Sequence, residues 1–170
     1  MNLYILRHAI AVERGTLGYA DDSKRPLTPE GKRKMRLNAL GMKTLGLSFD
    51  IILSSPYLRA IQTANIVAKT FEIPNDKLVI NNSLVPGASA VKLINEINAC
   101  AGKIEGLLLV GHEPDLGALA SFLLTGKDNT AISLKKGGLC HLSFDHGLKA
   151  GNATLEVLFT PSVLRHVGKE

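Results

Sequence analysis

The sequence predicts an α/β fold: a three-layer α/β/α sandwich with a mostly parallel sheet and an antiparallel edge, in one domain over residues 1–170. Three observations carry this. Short apolar runs alternate with amphipathic segments of helical period through residues 2–124, the pattern of successive βα units. Residues 131–159 change character, with strand-like runs joined by a short polar link that suits an antiparallel hairpin. A chain of 170 residues with 45% hydrophobic content can bury one substantial core.

The elements follow in order. Residues 2–7 form an apolar strand that breaks abruptly at Arg7 and His8. On a continuing strand these neighbours would point to opposite faces. They share a ligand only if the strand ends there, so the site is expected at the carboxyl edge of the sheet, where open α/β sheets bind ligands. Residues 9–27 read as a long polar loop with Gly15, Gly18, Asp21, Asp22 and Pro26. A loop of that length inside a domain is usually functional. It lies beside His8 and carries Arg14, Lys24 and Arg25, so it is expected to border the site and shape substrate choice. Thr28 caps a helix that has Pro29 at its first position and Glu30 near its positive end, running to about Leu45.

Residues 50–53 form a second strand, followed by Ser54, Ser55 and a helix starting at Pro56. Ala60, Ala64, Val67 and Phe71 fall on one face of that helix, Arg59 and Thr63 on another. Pro74 ends it, and 77–80 form an edge strand. Ser89 caps a third helix with Leu93, Ile97 and Ala101 on one face. Residues 106–110 form a buried strand ending at Gly111-His112-Glu113-Pro114. A fourth helix places Leu116, Leu119, Ala120, Leu123 and Leu124 at amphipathic spacing. Strands are expected at 131–135, 138–144 and 153–159, the last with Leu155, Val157 and Phe159 inward. A brief tail helix covers 161–166.

Composition excludes several classes of function. The net charge is +5, with Lys32, Arg33, Lys34 and Arg36 clustered on one helix. That run reads as a solvated face, or as a docking patch for an acidic partner. Aromatic residues make up 5% and do not interleave with the basic ones, so nucleic acid is not an expected partner. No apolar run is long enough to span a bilayer, and the start of the chain does not read as a signal peptide. Cys100 and Cys140 lack a CxxC spacing and suit a reducing cytoplasm, the expected location. No metal-ligand motif, phosphate-binding P-loop or hydrolase nucleophile elbow is present, so neither metal nor cofactor is expected. His141, His146 and His166 match no ligand pattern and read as structural.

Three strand ends carry one type of chemistry. The first delivers Arg7 and His8. The second leads through Ser54-Ser55-Pro56-Tyr57-Leu58 to Arg59 in a helix. The fourth delivers His112. Two arginines and two histidines at one sheet edge form a cage for a dianion, since arginine offers paired N–H donors to phosphate oxygens and helix N-termini add positive potential.

These residues also carry a resemblance. Leu6-Arg7-His8-Ala9, the stretch from Ser54 through Arg59 to Ala60-Ile61-Gln62-Thr63-Ala64, and Val110-Gly111-His112-Glu113-Pro114 resemble, in order, three motifs of the histidine phosphatase superfamily. The SixA-type phosphohistidine phosphatases are the subgroup most similar. Arg25-Pro26-Leu27-Thr28-Pro29-Glu30-Gly31 and the ending Leu158-Phe159-Thr160-Pro161 add to the likeness, which spans essentially the whole chain.

The resemblance implies a phosphoglycerate mutase-like fold without a large cap insertion. It implies that His8 is the nucleophile and carries a transient phosphoryl group, while Arg7, Arg59 and His112 hold the phosphoryl oxygens. Arg25 becomes an extra phosphate or substrate contact and Glu113 a candidate general acid. The chemistry asks for an unprotonated His8 nitrogen, with a backbone carbonyl fixing the other ring N–H, and a protonated His112 would add a positive donor. The sequence departs from the family pattern at Ala9, where glycine is usual, which matters only if that residue needs positive φ. Without a cap insertion an open, shallow site is expected.

The implied activity is metal-independent hydrolysis of phosphohistidine on proteins through a covalent phosphohistidine intermediate, the partner being a phosphorylated protein such as a histidine phosphotransfer domain. Two alternatives stand beside it: a small-molecule phosphomonoester phosphatase using the same His8, and a non-catalytic phosphate-binding module. Oligomeric state is left open, a monomer being compatible.

Overall fold

The computed structural model describes residues 1–100, 104–129 and 132–169. Its elements are β1 (Asn2–Arg7), α1 (Pro29–Thr44), β2 (Ile51–Ser54), α2 (Leu58–Phe71), β3 (Leu78–Ile80), α3 (Ala90–Cys100), β4 (Gly106–Gly111), α4 (Asp115–Thr125), β5 (Leu139–Ser143), β6 (Thr154–Phe159) and α5 (Pro161–Val167). One six-stranded sheet runs β3-β2-β4-β1-β5-β6. The β3-β2, β2-β4 and β4-β1 pairs are parallel, while β1-β5 and β5-β6 are antiparallel. The mostly parallel sheet with an antiparallel edge is therefore the observed architecture.

Period-2 alternation on buried strands feeds two cores. Tyr4, Leu6, Ile52, Leu108 and Val110 point to one face and meet Met35, Ala39 and Met42 of α1, Ala60, Ala64 and Val67 of α2, and Leu164 of α5. Leu3, Ile5, Leu107 and Leu109 point to the other and meet Leu93, Ile94 and Ile97 of α3 and Leu116, Leu119 and Leu123 of α4. β4 is buried over its whole length because helices cover it on both faces and strands on both sides.

Local signals explain most boundaries. The Thr28 hydroxyl accepts from the Gly31 N–H at 2.9 Å and so caps α1, with Pro29 beginning the helix. The Ser89 hydroxyl accepts from the Lys92 N–H at the start of α3. Ala101, expected on the inner face of that helix, lies outside the described residues.

Three expectations need correction. The second helix begins at Leu58 rather than Pro56, because Tyr57 keeps extended backbone angles and its N–H turns back to the Ser55 hydroxyl at 3.4 Å. Of the strand expected at 131–135, residue 131 lies outside the described residues and 132–135 join no ladder. The Leu134 backbone is bonded to side chains instead: its N–H donates to the Glu113 carboxylate and its C=O accepts from Arg7. In β6 a bulge opposite the His141/Leu142 step shifts the register, since Val157 pairs with His141 but Leu155 with Leu142. Val157 and Phe159 remain partly buried, while Leu155 is 46% exposed rather than inward.

Candidate active site

Parallel pairing sets the carboxyl ends of β1, β2 and β4 side by side. Arg7 is level with Gly111, and Ser54 with Val110. The His8 N–H continues the ladder to the Gly111 carbonyl at 3.0 Å, and the Ser55 N–H donates to the Val110 carbonyl at 2.9 Å. His8 and His112, each one residue beyond its strand, thus become neighbours with ring centroids 5.1 Å apart. α2 starts beyond β2 and carries Arg59 in its first turn. The structure brings Arg7, His8, Arg59 and His112 to one place, with His8, Arg59 and His112 buried.

His8 is the most constrained of the four. Its Nδ1 lies 2.7 Å from the Ala9 carbonyl oxygen. A carbonyl only accepts, so Nδ1 carries the proton and the Nε2 lone pair faces outward, where it accepts from Arg59 Nε at 3.3 Å. Burial lowers the His8 pKa to about 3, helped by the positive surroundings of His112, Arg59 and Arg7 and opposed by the Ala9 hydrogen bond. His8 is therefore neutral at pH 7, with its Nε2 lone pair turned to Arg59. Ala9 keeps negative φ, since Glu72 is the one non-glycine residue with positive φ among those described, so alanine in place of glycine introduces no strain. The Ala9 N–H donates to Thr63 Oγ1 at 3.1 Å, and that hydroxyl donates to the Arg59 carbonyl at 2.7 Å. Thr63 thereby ties the turn after His8 to the first turn of α2.

His112 Nε2 is 2.8 Å from Ser55 Oγ, and its buried Nδ1 has no protein partner. Burial, with Arg59, Arg25 and Arg7 nearby, lowers its pKa to about 4, against a smaller raising effect of Asp22. With that pKa His112 is neutral at pH 7. An anion bound in the cluster would favour its protonated form. Arg7 donates through NH1 to the Leu134 carbonyl at 2.8 Å, and its buried Nε has no protein partner. Two of the three unpartnered buried side-chain atoms among the described residues thus belong to this cluster. Unpaired buried polar atoms are costly, and an oxyanion is a group that would satisfy Arg7 Nε.

The two remaining candidates lie differently. Arg25 donates to Asp22 Oδ1 through Nε at 2.9 Å, with NH2 in an ion-pair contact at 2.8 Å, and to the Val12 carbonyl through NH1. Its hydrogen bonds stay within its own loop, and Asp22 links it to Arg59. The carboxylate of Glu113 accepts from the Leu134 N–H at 2.5 Å and the Gly117 N–H at 3.3 Å. Both oxygens are engaged with backbone, so Glu113 braces Leu134, the residue whose carbonyl Arg7 holds.

The 9–27 loop does border the cluster. It holds a short 3-10 turn at Asp22–Lys24 and closes with an isolated bridge between Ala11 and Leu27. From it Asp22 reaches Arg59, its carbonyl accepting from NH1 at 2.7 Å and its Oδ2 from NH2 at 3.0 Å. Burial alone would raise the Asp22 pKa. The hydrogen bonds from Arg25, Arg14 and Arg59 prevail and hold it at about 2. Asp22, Ser55 and Thr63 had no role in the sequence reading. An aspartate placed three residues before Arg25 in a charged loop was the only signal for the first.

The surroundings are less shallow than the missing cap insertion suggested. A cavity of about 320 Å³ adjoins His112, walled by Leu84, Val85, Leu93, Leu119 and Phe122, with Asp115 at its edge. Among the described residues no group of three or more His, Cys, Asp or Glu side chains could hold a metal ion, and no helix is long and apolar enough to cross a membrane.

Comparison with known proteins gives consistent matches. A profile described as histidine phosphatase superfamily (branch 1) matches residues 3–79. The chain is 36% identical over 157 residues to an uncharacterized protein of Picosynechococcus, covering 92% of this chain and 89% of that one. It is 28% identical over 166 residues to the phosphohistidine phosphatase SixA of Escherichia coli, covering 97% of each. Among solved structures, the protein histidine phosphatase SixA complexed with tungstate matches with a TM-score of 0.84 at 27% identity, over 96% of this chain and 99% of that one.

Proposed function

This chain belongs to the histidine phosphatase superfamily as a SixA-like phosphatase, and from that premise we propose that it hydrolyses phosphohistidine on a protein partner, with His8 as nucleophile. The observation that carries the reading is the state of His8: neutral, its tautomer set by the Ala9 carbonyl, its Nε2 lone pair turned to Arg59. Nε2 attacks phosphorus in line. The new Nε2–P bond forms as the P–N bond of the substrate breaks, and the departing imidazole takes a proton from water. Arg7, Arg59 and His112 hold the phosphoryl oxygens and offset their charge, the main catalytic task in phosphoryl transfer. Water then attacks the phosphorylated His8, releasing inorganic phosphate and restoring the lone pair. A phosphoramidate leaving group asks little of a general acid, which fits a site in which the Glu113 carboxylate is bound to backbone.

A second reading has its own support. The apolar cavity beside His112, about 320 Å³, is at the lower end of the range of about 300–1,000 Å³ typical of small-ligand sites. It could receive the leaving group of a small phosphate ester.

One comparison separates the two. Phosphate release is measured from a histidine-phosphorylated phosphotransfer domain and from a panel of sugar and nucleotide monoesters. Higher kcat/KM on the phosphoprotein is expected, and higher kcat/KM on a monoester would replace the first reading with the second. His8→Ala should abolish release from every substrate. A variant that kept wild-type turnover would remove His8 from the chemistry.

A further inference from the structure

We propose that Asp22 is a positioning residue that aligns Arg59 with His8, at the expense of affinity for the phosphoryl anion; this rests on the site reading above. Arg59 is 3% exposed, and a guanidinium buried that far needs a partner for its charge. Asp22 supplies it in a particular way. It takes both ends of the fork, NH1 on its carbonyl and NH2 on Oδ2, which leaves the third edge, Nε, facing His8 Nε2. Of five N–H donors three are committed, leaving one on each terminal nitrogen for a phosphoryl oxygen.

Asp22 is itself held. Oδ1 accepts from Arg14 Nε at 3.1 Å and from Arg25 Nε at 2.9 Å, with Arg25 NH2 in ion-pair contact at 2.8 Å, and Arg25 is anchored on the Val12 carbonyl. The Asp21 carboxylate caps the turn in which Asp22 sits by accepting from the Ser23 N–H at 3.0 Å. The loop, three arginines and the nucleophile therefore form one connected web with Asp22 at its centre.

The arrangement has a cost. A full negative charge sits on the guanidinium that must also receive a dianion, and like charges weaken binding. Removing the charge should therefore strengthen anion binding while leaving Arg59 free to turn from His8. A residue that merely stabilised the fold would lower both properties together.

The test compares wild type, Asp22→Asn, Asp22→Glu and His8→Ala on a histidine-phosphorylated phosphotransfer domain, with inorganic phosphate and tungstate as competitive inhibitors. Asp22→Asn should lose kcat by ~10–100-fold, the scale of a misplaced catalytic group. Its inhibition constants for both anions should fall. Asp22→Glu, which keeps the charge on a longer arm, should recover part of kcat and return the inhibition constants towards wild type. Hydrogen exchange across residues 13–25 should speed up in Asp22→Asn, reporting release of the loop independently of activity.

The proposal is overturned if Asp22→Asn keeps wild-type kcat, or if kcat and anion affinity fall together. Should Asp22→Asn fail to fold, Asp22→Glu decides alone: unchanged kcat overturns the proposal, and reduced kcat at unchanged anion affinity supports it. A wild-type chain inert on the phosphoprotein, or a His8→Ala variant as fast as wild type, would count against the site reading itself. An active, His8-dependent wild type with an indifferent Asp22 would count against this inference alone.

Discussion

His8 gives its two ring nitrogens different tasks, and the backbone decides which. The Ala9 carbonyl claims the proton on Nδ1, so Nε2 is left as the acceptor. Arg7, His8 and His112 could be picked out because they stand at the ends of apolar runs, and Arg59 because it opens the helix that follows the second one. Glu113 could not be placed the same way. Its position beside His112 suggested an acid, but its carboxylate grips the Leu134 and Gly117 N–H groups, and Leu134 passes that support to Arg7 through its carbonyl. Glu113→Gln keeps one acceptor and turns an NH2 group towards the other N–H. It should destabilise the fold by about 1–3 kcal/mol, the penalty for an unsatisfied buried donor. It should lower kcat/KM by the same factor for monoesters with good and poor leaving groups, because Arg7 acts on phosphoryl oxygens in both cases. Selective loss on poor leaving groups, with the alkaline limb of the pH–rate profile gone, would restore Glu113 as the acid.

At the level of elements, the first turn of α1 matters more to the site than its distance along the chain suggests. The Thr28 N–H donates to the Ile10 carbonyl at 3.0 Å, and a Cβ added at Gly31 would stand 2.0 Å from that same oxygen. The helix rests directly on the backbone two residues beyond His8, and only hydrogen fits between. Gly31→Ala must displace either α1 or Ile10. A cost of about 1–3 kcal/mol is expected from overpacking, seen as a lower denaturation midpoint, together with a fall in kcat as the turn at His8 shifts. A stable, fully active Gly31→Ala protein would show that the contact relaxes without moving the nucleophile. Most elements were readable beforehand because strong period-2 and helical patterns coincide with caps at Thr28 and Ser89. The failures have a common cause. Residues 132–135 looked like a strand, but the Leu134 backbone is bonded to side chains from elsewhere in the chain and the Lys135 carbonyl to the Gly138 N–H. β6 looked regular, and its bulge depends on pairing with β5. Neither fact is local, so neither leaves a local mark. Asp22 belongs with them, since its partners are defined by how the loop folds over α2.

For the molecule as a whole, the parallel order of β2, β4 and β1 gathers the charged cluster at one edge of the sheet, and the fold bears the electrostatic consequence. Two histidines are buried neutral among arginines, His8 with a pKa of about 3 and His112 of about 4, against an ordinary 6.5. As pH falls below 6.5 the unfolded chain binds protons that the folded chain refuses, so stability declines. The decline levels off only where the folded histidines themselves titrate, near pH 3 to 4. Asp22 acts in a lower window. Its folded pKa of about 2 lies below the ordinary 3.8, so its contribution is complete above pH 3.8 and is lost as pH falls towards 2. At pH 5 each histidine should remove on the order of 2 kcal/mol relative to pH 7. Urea denaturation at the two pH values should therefore show a clearly lower midpoint at pH 5 in wild type. In a His8→Asn, His112→Gln double variant, which has no imidazole in the cluster to protonate on unfolding, most of that difference should vanish. Equal midpoint differences in the two proteins would mean that the cluster histidines take up protons in the folded state as readily as in the unfolded one, and the neutral nucleophile on which the proposed chemistry depends would be lost with them.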